Sequence, residues 1–295
     1  MNILVNFAAM YDNDIITQIF DGLGEVPAPW RSYYNIEETD RYIVSTTGYS
    51  GFGAMPQWKD GSDIPLDEPE KIYDNVITQE FYGMGFKASR KLVKYGELAK
   101  ILRWAASLGR SLGQTYGQAH ADVLNDAFTT TYASLGTVAL ASASHGSRGS
   151  ATRSNINASA ALTPANLEVL VVQGMNQTNY AGLNDPVMYN KLITVPSLRR
   201  QAVKIFQSEG ESGTANNDIN TQKGMMSVVI DPFMSDSTTH YFLQSANHGL
   251  RSVHGMLPED DEYMERSSKS RVYTLEADFQ VGVEFWEGMA GSQGA

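Results

Sequence analysis

The stretch GELAKILRWAASLGRSLGQTYGQAHADVLNDAF, residues 96–128, decides the fold. Its apolar residues recur in steps of three and four, which predicts an amphipathic helix. They are Leu98, Ile101, Leu102, Ala105, Leu108, Leu112, Tyr116, Val123, Leu124, Ala127 and Phe128. A helix of about 32 residues would be roughly 48 Å long, about the diameter of a compact globule of this chain length. We therefore expect a kinked helix or an elongated molecule.

One side of this helix carries small residues. Gly109, Gly113 and Gly117 are spaced four apart, so they form a stripe that another backbone can approach closely. The charged Arg103 and Arg110 exclude a membrane dimer of the kind that such spacing favours in lipid. The stripe predicts a bend, or close packing of the helix against a sheet.

Residues 40–94, before the helix, have the pattern of a projecting hairpin. RYIVSTTGYSG predicts a strand that enters a glycine-rich tip, and KIYDNVITQEFYGMGFKASRKLV alternates apolar and polar residues as a returning strand does. The polar, proline-containing segment MPQWKDGSDIPLDEPE lies between them. Residues 1–34 combine a short amphipathic stretch with GLGEVPAPW, and Pro27 and Pro29 predict that this second piece is extended, as in an arm or linker.

The C-terminal half predicts a mixture of helices and strands. Residues 134–162 are rich in Ser, Ala and Gly, as in a loop or lobe boundary. Thr163 and Pro164 are typical of a helix start. Beyond this helix, a strand followed by a helix or second strand is predicted for KLITVPSLRRQAVKIF. A buried strand is predicted for GMMSVVIDP, and a β-hairpin for RVYTLEADFQVGVEFWEGMAGSQGA. The fold class is therefore α+β with one dominant long helix.

Composition narrows the range of functions. The 295 residues include no cysteine, which excludes disulfides, thiolate metal sites and a cysteine nucleophile. The 22 basic and 33 acidic residues give a net charge of −11, which disfavours sequence-specific binding to nucleic acid. We find neither a secretory signal nor an apolar run long enough for a membrane span, so we expect a cytosolic, soluble protein.

No motif in the chain predicts catalysis, a cofactor or a metal centre. The five histidines (His120, His145, His240, His248 and His254) show no spacing typical of metal ligands. We expect surface or capped histidines, and a metal or catalytic site between His240 and His254 is the alternative. The acidic run at residues 259–262 could bind a cation, but such runs are usually solvated.

Charge is segregated between the hairpin tip and the segment that follows the hairpin. The tip is acidic, whereas the returning strand and helix start are basic. Such blocks could simply keep two surfaces soluble, or they could meet between neighbouring copies of the chain. We favour the second interpretation, and its candidate interface residues are Trp58, Lys59, Asp60, Asp63, Lys87, Arg90, Lys91 and Lys94.

The order of these parts resembles the HK97-type fold of tailed-phage major capsid proteins, and within them the Mu-like major head subunits. Three stretches carry the resemblance: YIVSTTGYSGFGAMPQWKDG at 42–61, NVITQEFYGMGFKASRKLVKYGELAKI at 75–101, and DFQVGVEFWEGMAGSQG at 278–294. The resemblance implies four parts. They are an N-terminal arm (1–39), an E-loop that overlaps a neighbour (40–94), a peripheral domain containing the spine helix (95–133 with 250–295) and an axial domain (134–249).

The resemblance also implies a function. The chain would be a structural protein, not an enzyme, that self-assembles as hexamers and pentamers into an icosahedral shell around a double-stranded DNA genome. Its partners would be further copies, portal, scaffold and decoration proteins, and packaged DNA bound without sequence specificity. It would belong to the virion and assemble in the cytoplasm of a bacterial host. The alternatives are an encapsulin-type nanocompartment shell and a soluble hydrolase centred on His240–His254.

Overall fold

The computed structural model describes residues 3–95, 97–132, 138–147, 152–210, 219–235 and 237–295, without the side chains of 3–11, 93, 94 and 132. Its α-helices are α1 (Ile3–Gly24), α2 (Arg90–Lys94), α3 (Leu98–Asn125), α4 (Pro164–Met175) and α5 (Arg199–Gln207). Short 3-10 helices lie at Pro29–Ser32 and Pro196–Leu198.

The strands form two four-stranded sheets and three two-stranded ones. The first half of the chain contains β1 (Asn35–Glu38), β2 (Ile43–Tyr49), β3 (Lys71–Thr78), β4 (Glu80–Ala88), β5 (Thr131–Tyr132), β6 (Val138–Ala139) and β7 (His145–Gly146). The second half contains β8 (Thr152–Arg153), β9 (Tyr189–Thr194), β10 (Ser227–Ile230), β11 (Tyr241–Ser245), β12 (Leu250–Glu265), β13 (Ser270–Val283) and β14 (Met289–Ser292).

The first large sheet has the strand order β1-β12-β13-β4, and the second has the order β10-β9-β11-β14. In the first sheet β1 runs parallel to β12, and the other pairs are antiparallel. Strands β2 and β3 form a separate hairpin. This mixture of helices and sheets confirms the predicted α+β class.

The long helix confirms the sequence prediction. Helix α3 has 28 residues, and its apolar stripe is buried at Ile101, Ala105, Leu108, Leu112, Tyr116 and Leu124. This stripe joins the core that packs on the first large sheet. Burial of these side chains therefore fixes the spine of the molecule to the sheet.

The glycine stripe of α3 packs against another helix, not against a sheet as the sequence suggested. A Cβ atom at Gly109 would overlap the carbonyl oxygen of Ile19 on α1. On α1, a Cβ atom at Gly22 would likewise overlap the carbonyl oxygen of Ala106. Glycine on both helices thus lets the two backbones touch. Further along α3, the ring of Phe233 covers Gly117.

The prediction of an extended GLGEVPAPW is wrong at both ends of that segment, because α1 continues to Gly24 and a 3-10 helix begins at Pro29. The amphipathic stretch before it belongs to the 22-residue helix α1. Pro27 and Pro29 lie after this helix and do not constrain it. Tyr273 on β13 donates a hydrogen bond to the buried Asp12 carboxylate at 2.9 Å, and Arg271 pairs with the same group. These bonds attach α1 to the first sheet.

The segment predicted as one returning strand is two strands of different sheets. It divides at the buried Gln79, whose backbone N–H donates to the Tyr42 carbonyl at 3.0 Å. Before this point β3 pairs with β2, and after it β4 pairs with β13. The hairpin is thus limited to residues 43–78, and the basic strand end belongs to the body of the protein. The base of the hairpin is fixed to β13, because Asn75 Nδ2 donates to the Val283 carbonyl at 3.1 Å and the buried Ile77 packs against Gly282.

The C-terminal half confirms several predictions and corrects two. Thr163 caps α4 by accepting a hydrogen bond from the Asn166 N–H at 3.2 Å. KLITVPSLRRQAVKIF forms a strand and then a helix. The C-terminal stretch does not form a hairpin of its own, because β13 pairs with the preceding β12 whereas β14 pairs with β11 in the other large sheet. The segment GMMSVVIDP is not a buried strand, because β10 lies at a sheet edge and is half-exposed. The polar segment SEGESGTANNDINTQ, which predicts a loop, includes residues 211–218, and these lie outside the described residues.

Two hydrophobic cores result. One is formed by α1, α3 and the first large sheet, and it also includes Ile193 and Phe242 of the second sheet. The other lies between the second large sheet and helices α4 and α5. Leu198 packs against both. The chain is thus organised as two lobes, with the β2–β3 hairpin outside both cores.

Replacing Gly109 with alanine tests the helix contact. The added methyl group would force α1 and α3 apart, so we expect Gly109→Ala to lower the free energy of unfolding by about 1–3 kcal/mol. Gly24→Ala is the matched control, since a Cβ atom there meets nothing within 4 Å. Denaturant unfolding measures both variants, and equal stabilities would refute the contact.

Candidate assembly surface

The base of the β2–β3 hairpin is well ordered by cross-strand contacts. Thr47 donates to the Asp74 carboxylate at 3.0 Å. Gly48 lies opposite Tyr73, whose ring occupies the space that a side chain at Gly48 would need. At the end of the hairpin, the Ser50 N–H donates to the Glu70 carbonyl at 2.8 Å, and the Glu70 N–H donates to Ser50 Oγ at 2.9 Å. These bonds close the two strands.

Residues 50–70, which we call the tip, contain almost no regular structure beyond that closure. The Gly53 N–H donates to the Asp67 carboxylate at 2.9 Å, and the Trp58 indole donates to the Ser62 carbonyl at 2.8 Å. Gly51 and Gly61 have φ values of 69° and 82°, which favour glycine. Local hydrogen bonds therefore shape the tip without a core beneath it.

The tip exposes large apolar side chains. Met55 and Leu66 are 96% and 94% exposed. The others in this apolar set, all more than half exposed, are Phe52, Trp58 and Ile64. Large apolar side chains exposed together in one short segment favour an interaction site. Of these five residues only Trp58 was predicted from the sequence, although apolar residues inside a Pro- and Gly-containing loop were a visible signal.

The structure brings four of the predicted interface residues together in the tip: Trp58, Lys59, Asp60 and Asp63. All four are exposed. In the described part of the chain, Lys59, Asp60 and Asp63 form no ion pair. Their charges are thus directed to solvent and available to a partner.

The other predicted interface residues follow β4. Lys87 at the end of β4 is used within the chain, because it forms an ion pair with Glu265 at the end of β12. Arg90 and Lys91 lie exposed on α2, whose N-terminus Ser89 caps by accepting from the Leu92 N–H at 3.3 Å. The side chain of Lys94 lies outside the described residues. Arg90 and Lys91 are therefore the cations of this set that the structure shows exposed and without an ion pair.

Comparison with known proteins identifies the family. The family model for phage capsid proteins matches residues 73–291, about three quarters of the chain. The chain belongs to the phage capsid protein family. No curated protein matches its sequence.

Solved capsid structures share the fold of this capsid protein. The capsid of cyanophage P-SCSP1u is 10% identical with a TM-score of 0.60, covering 89% of this chain and 86% of its own. The mature capsid of bacteriophage PhiM1 is also 10% identical, with a TM-score of 0.59 and coverages of 89% and 85%. A virus-like particle from Pyrococcus furiosus is 9% identical, with a TM-score of 0.54 and coverages of 96% and 99%. The fold is thus the predicted HK97-type capsid fold, and family and fold together identify a major capsid protein.

The histidines of this capsid protein are mostly buried, which corrects the prediction of surface histidines. His120 Nε2 lies 2.7 Å from Ser252 Oγ, and the same hydroxyl lies 2.9 Å from His254 Nε2. The ring of Trp30 stacks on His120 at 3.9 Å between centroids. His145 stacks on Trp286 at the same centroid distance. These rings act as core side chains with hydrogen-bond partners.

Burial keeps these histidines neutral. Desolvation lowers the pKa of His120 from 6.5 to about 3, and the pKa values of His145 and His248 to about 4. It also lowers the pKa of His254. A neutral ring inside a core costs less than a charged one, which explains all four shifts.

The alternative site between His240 and His254 receives no support. Within the described ranges, no group of three or more histidines or carboxylates could hold a metal ion. The acidic run at 259–262 lies along β12, where Glu262 pairs with Arg271 at 3.4 Å.

Among the described helices none is long and apolar enough to cross a membrane. The family and fold are those of structural capsid proteins.

The buried histidines predict a loss of stability in mild acid. The unfolded chain binds protons near pH 6.5, whereas folded His120 binds one only near pH 3, so stability falls as pH decreases through that window. For His120 alone we expect a loss of about 2 kcal/mol between pH 6.5 and pH 5.

Unfolding curves recorded from pH 7 to pH 5 for the wild type and His120→Gln test this expectation. The variant should be less stable at pH 7 but should have a shallower pH dependence. Identical slopes in the two proteins would show that His120 is not the titrating group.

Proposed function

We propose that this major capsid protein assembles by docking its tip onto the body of a neighbouring copy, in hexamers and pentamers that close into an icosahedral shell. The observation that carries the proposal is the apolar set of the tip, which has no core of its own. A neighbour's surface would provide the missing core. The hairpin at residues 43–78 would thus act as the overlapping E-loop.

The energies favour apolar contact as the source of affinity. Burying one large apolar side chain contributes about 1.5–3 kcal/mol to the free energy of association, and the tip exposes five such side chains. An exposed ion pair contributes only about 0–1 kcal/mol. We infer that the acidic tip and the cations Arg90 and Lys91 select the register and the partner surface, while the apolar set holds the contact.

The two-lobe organisation supports the proposed domain roles. The first core includes most buried residues of α3 and several of the β12–β13 hairpin, which supports a peripheral domain at 95–133 with 250–295. The second core draws all but Ala290 from residues 162–243, which supports an axial domain at 134–249. Ile193 and Phe242 of the proposed axial domain belong to the first core, so the two domains would share a packed boundary. Residues 1–39 would still precede the hairpin, as a helix against the spine for most of their length. The Mu-like assignment is also a proposal, supported by the three sequence stretches.

The net charge of −11 supports a role around packaged DNA. A shell of negatively charged subunits repels DNA phosphates on average. DNA can therefore be packaged and released without tight or sequence-specific binding. Portal, scaffold and decoration proteins would complete the particle, and assembly would occur in the host cytoplasm. The phage capsid family match favours a virion over the alternative of a nanocompartment shell.

Charge exchange between the tip and α2 tests the docking. We expect Asp60→Lys with Asp63→Lys to abolish closed shells, and Arg90→Glu with Lys91→Glu to do the same, because like charges would then face each other. Combining all four substitutions should restore shells. Negative-stain electron microscopy of the purified proteins provides the measurement.

Arg199→Glu with Arg200→Glu is the control, since it also reverses two adjacent, exposed cations that form no ion pair among the described residues, here on α5 of the other lobe. Shells in both double variants at wild-type concentration would contradict docking between these surfaces. Loss of shells that the fourfold variant fails to restore would contradict the pairing of these particular charges.

A further inference from the structure

A cavity of about 490 Å³ lies in the second lobe, between the start of α4 and one face of α5. Thr163 and Pro164 line it from α4, and Arg200, Gln201 and Lys204 line it from α5. Protein sites for small ligands commonly have volumes in this range. None of its lining residues belongs to the tip or to α2, the two surfaces assigned to docking.

The neutral polar groups of the cavity wall are already used to hold the wall. Gln201 donates to the Leu162 carbonyl. Asn220 Nδ2 donates to the Ile205 carbonyl at 2.6 Å and to the Ser208 carbonyl at 3.0 Å. These bonds fix α5 against its surroundings, so the cavity is formed before any ligand enters.

The two cations of the wall are free by contrast. Arg200 and Lys204 are four residues apart on α5, so they lie on the same face of the helix. Among the described residues, neither side chain forms an ion pair or a hydrogen bond. Both are therefore available to a negatively charged group in the cavity.

The neighbouring carboxylates do not neutralise these cations. Glu168 on α4 accepts a hydrogen bond from Gln222 Nε2 at 3.1 Å, and Glu209 pairs with Lys223 at 3.1 Å. The described lining of the cavity includes no acidic residue, and the first turn of α4 has none. The positive end of the α4 dipole adds to the field of the two cations. This cavity is a cationic site in a chain of net charge −11.

We propose that this cavity binds a small phosphate-type polyanion, such as inorganic tripolyphosphate or the phosphate chain of a nucleotide. The planar guanidinium of Arg200 can hold two oxygens of one phosphate, and the Lys204 ammonium can hold a second phosphate. The volume suits several linked phosphates better than a single chloride ion. The bound polyanion would relieve the repulsion between the two cations, and it would require no shell.

Calorimetric titration of sodium tripolyphosphate into the purified chain tests the proposal, with potassium chloride keeping the ionic strength constant. We expect saturable binding of one ion per chain. Arg200→Gln and Lys204→Gln should each weaken the affinity about tenfold. Arg199→Gln is the matched control, because it removes the same charge from the same helix at a residue that does not line the cavity. Its affinity should stay within about twofold of the wild-type value.

Two results would overturn the proposal. One is the absence of saturable binding to the wild type, and the other is an equal loss in all three variants, which would show a general charge effect. A short DNA duplex serves as a competitor, and we expect no displacement of tripolyphosphate because a duplex cannot enter the cavity. Displacement would assign the cations to DNA backbone contact instead. Light scattering on each sample shows the assembly state, so a failure of shell formation is recorded separately from a failure of binding.

Discussion

The backbones of α1 and α3 touch because glycine replaces a side chain on each helix at the crossing. Gly109 and Gly22 remove the two Cβ atoms that would otherwise separate the helices. The contacts of Asp12 with β13 hold α1 on the first large sheet. The two helices and this sheet, which includes β4, form the body of the protein to which the hairpin base is attached.

Rigidity in the body contrasts with the absence of a core in the hairpin. The tip is shaped by a few local hydrogen bonds, and its apolar set faces solvent in the single chain. The single chain therefore exposes apolar surface at the end of the β2–β3 hairpin, whose base has a fixed geometry. A support of fixed geometry lets identical copies meet in a repeated way, which a shell requires. Stability of the subunit and affinity between subunits therefore depend on different residues.

The sequence predicted those features that depend on local periodicity or capping. The apolar spacing of α3 and the Thr163 cap of α4 both have local causes, and both were confirmed. The extended conformation predicted for GLGEVPAPW was wrong at its start, because Gly22, as part of α1, packs on the backbone of Ala106 and this tertiary contact leaves no local signal. The division at Gln79 could not be predicted, since both halves alternate equally and only the partner strands differ. The buried histidines were missed because their partners, such as Trp30 and Ser252, are far away in the sequence.

The most direct test of the account is removal of the tip. In this variant a short Gly-Ser turn replaces residues 52–68 and leaves the Ser50–Glu70 closure in place. The account predicts an unchanged thermal unfolding midpoint and circular dichroism spectrum for the isolated subunit, with no closed shells by electron microscopy under conditions where the wild type forms them. Closed shells formed by the tipless chain at wild-type concentration would contradict the claim that the tip joins the subunits.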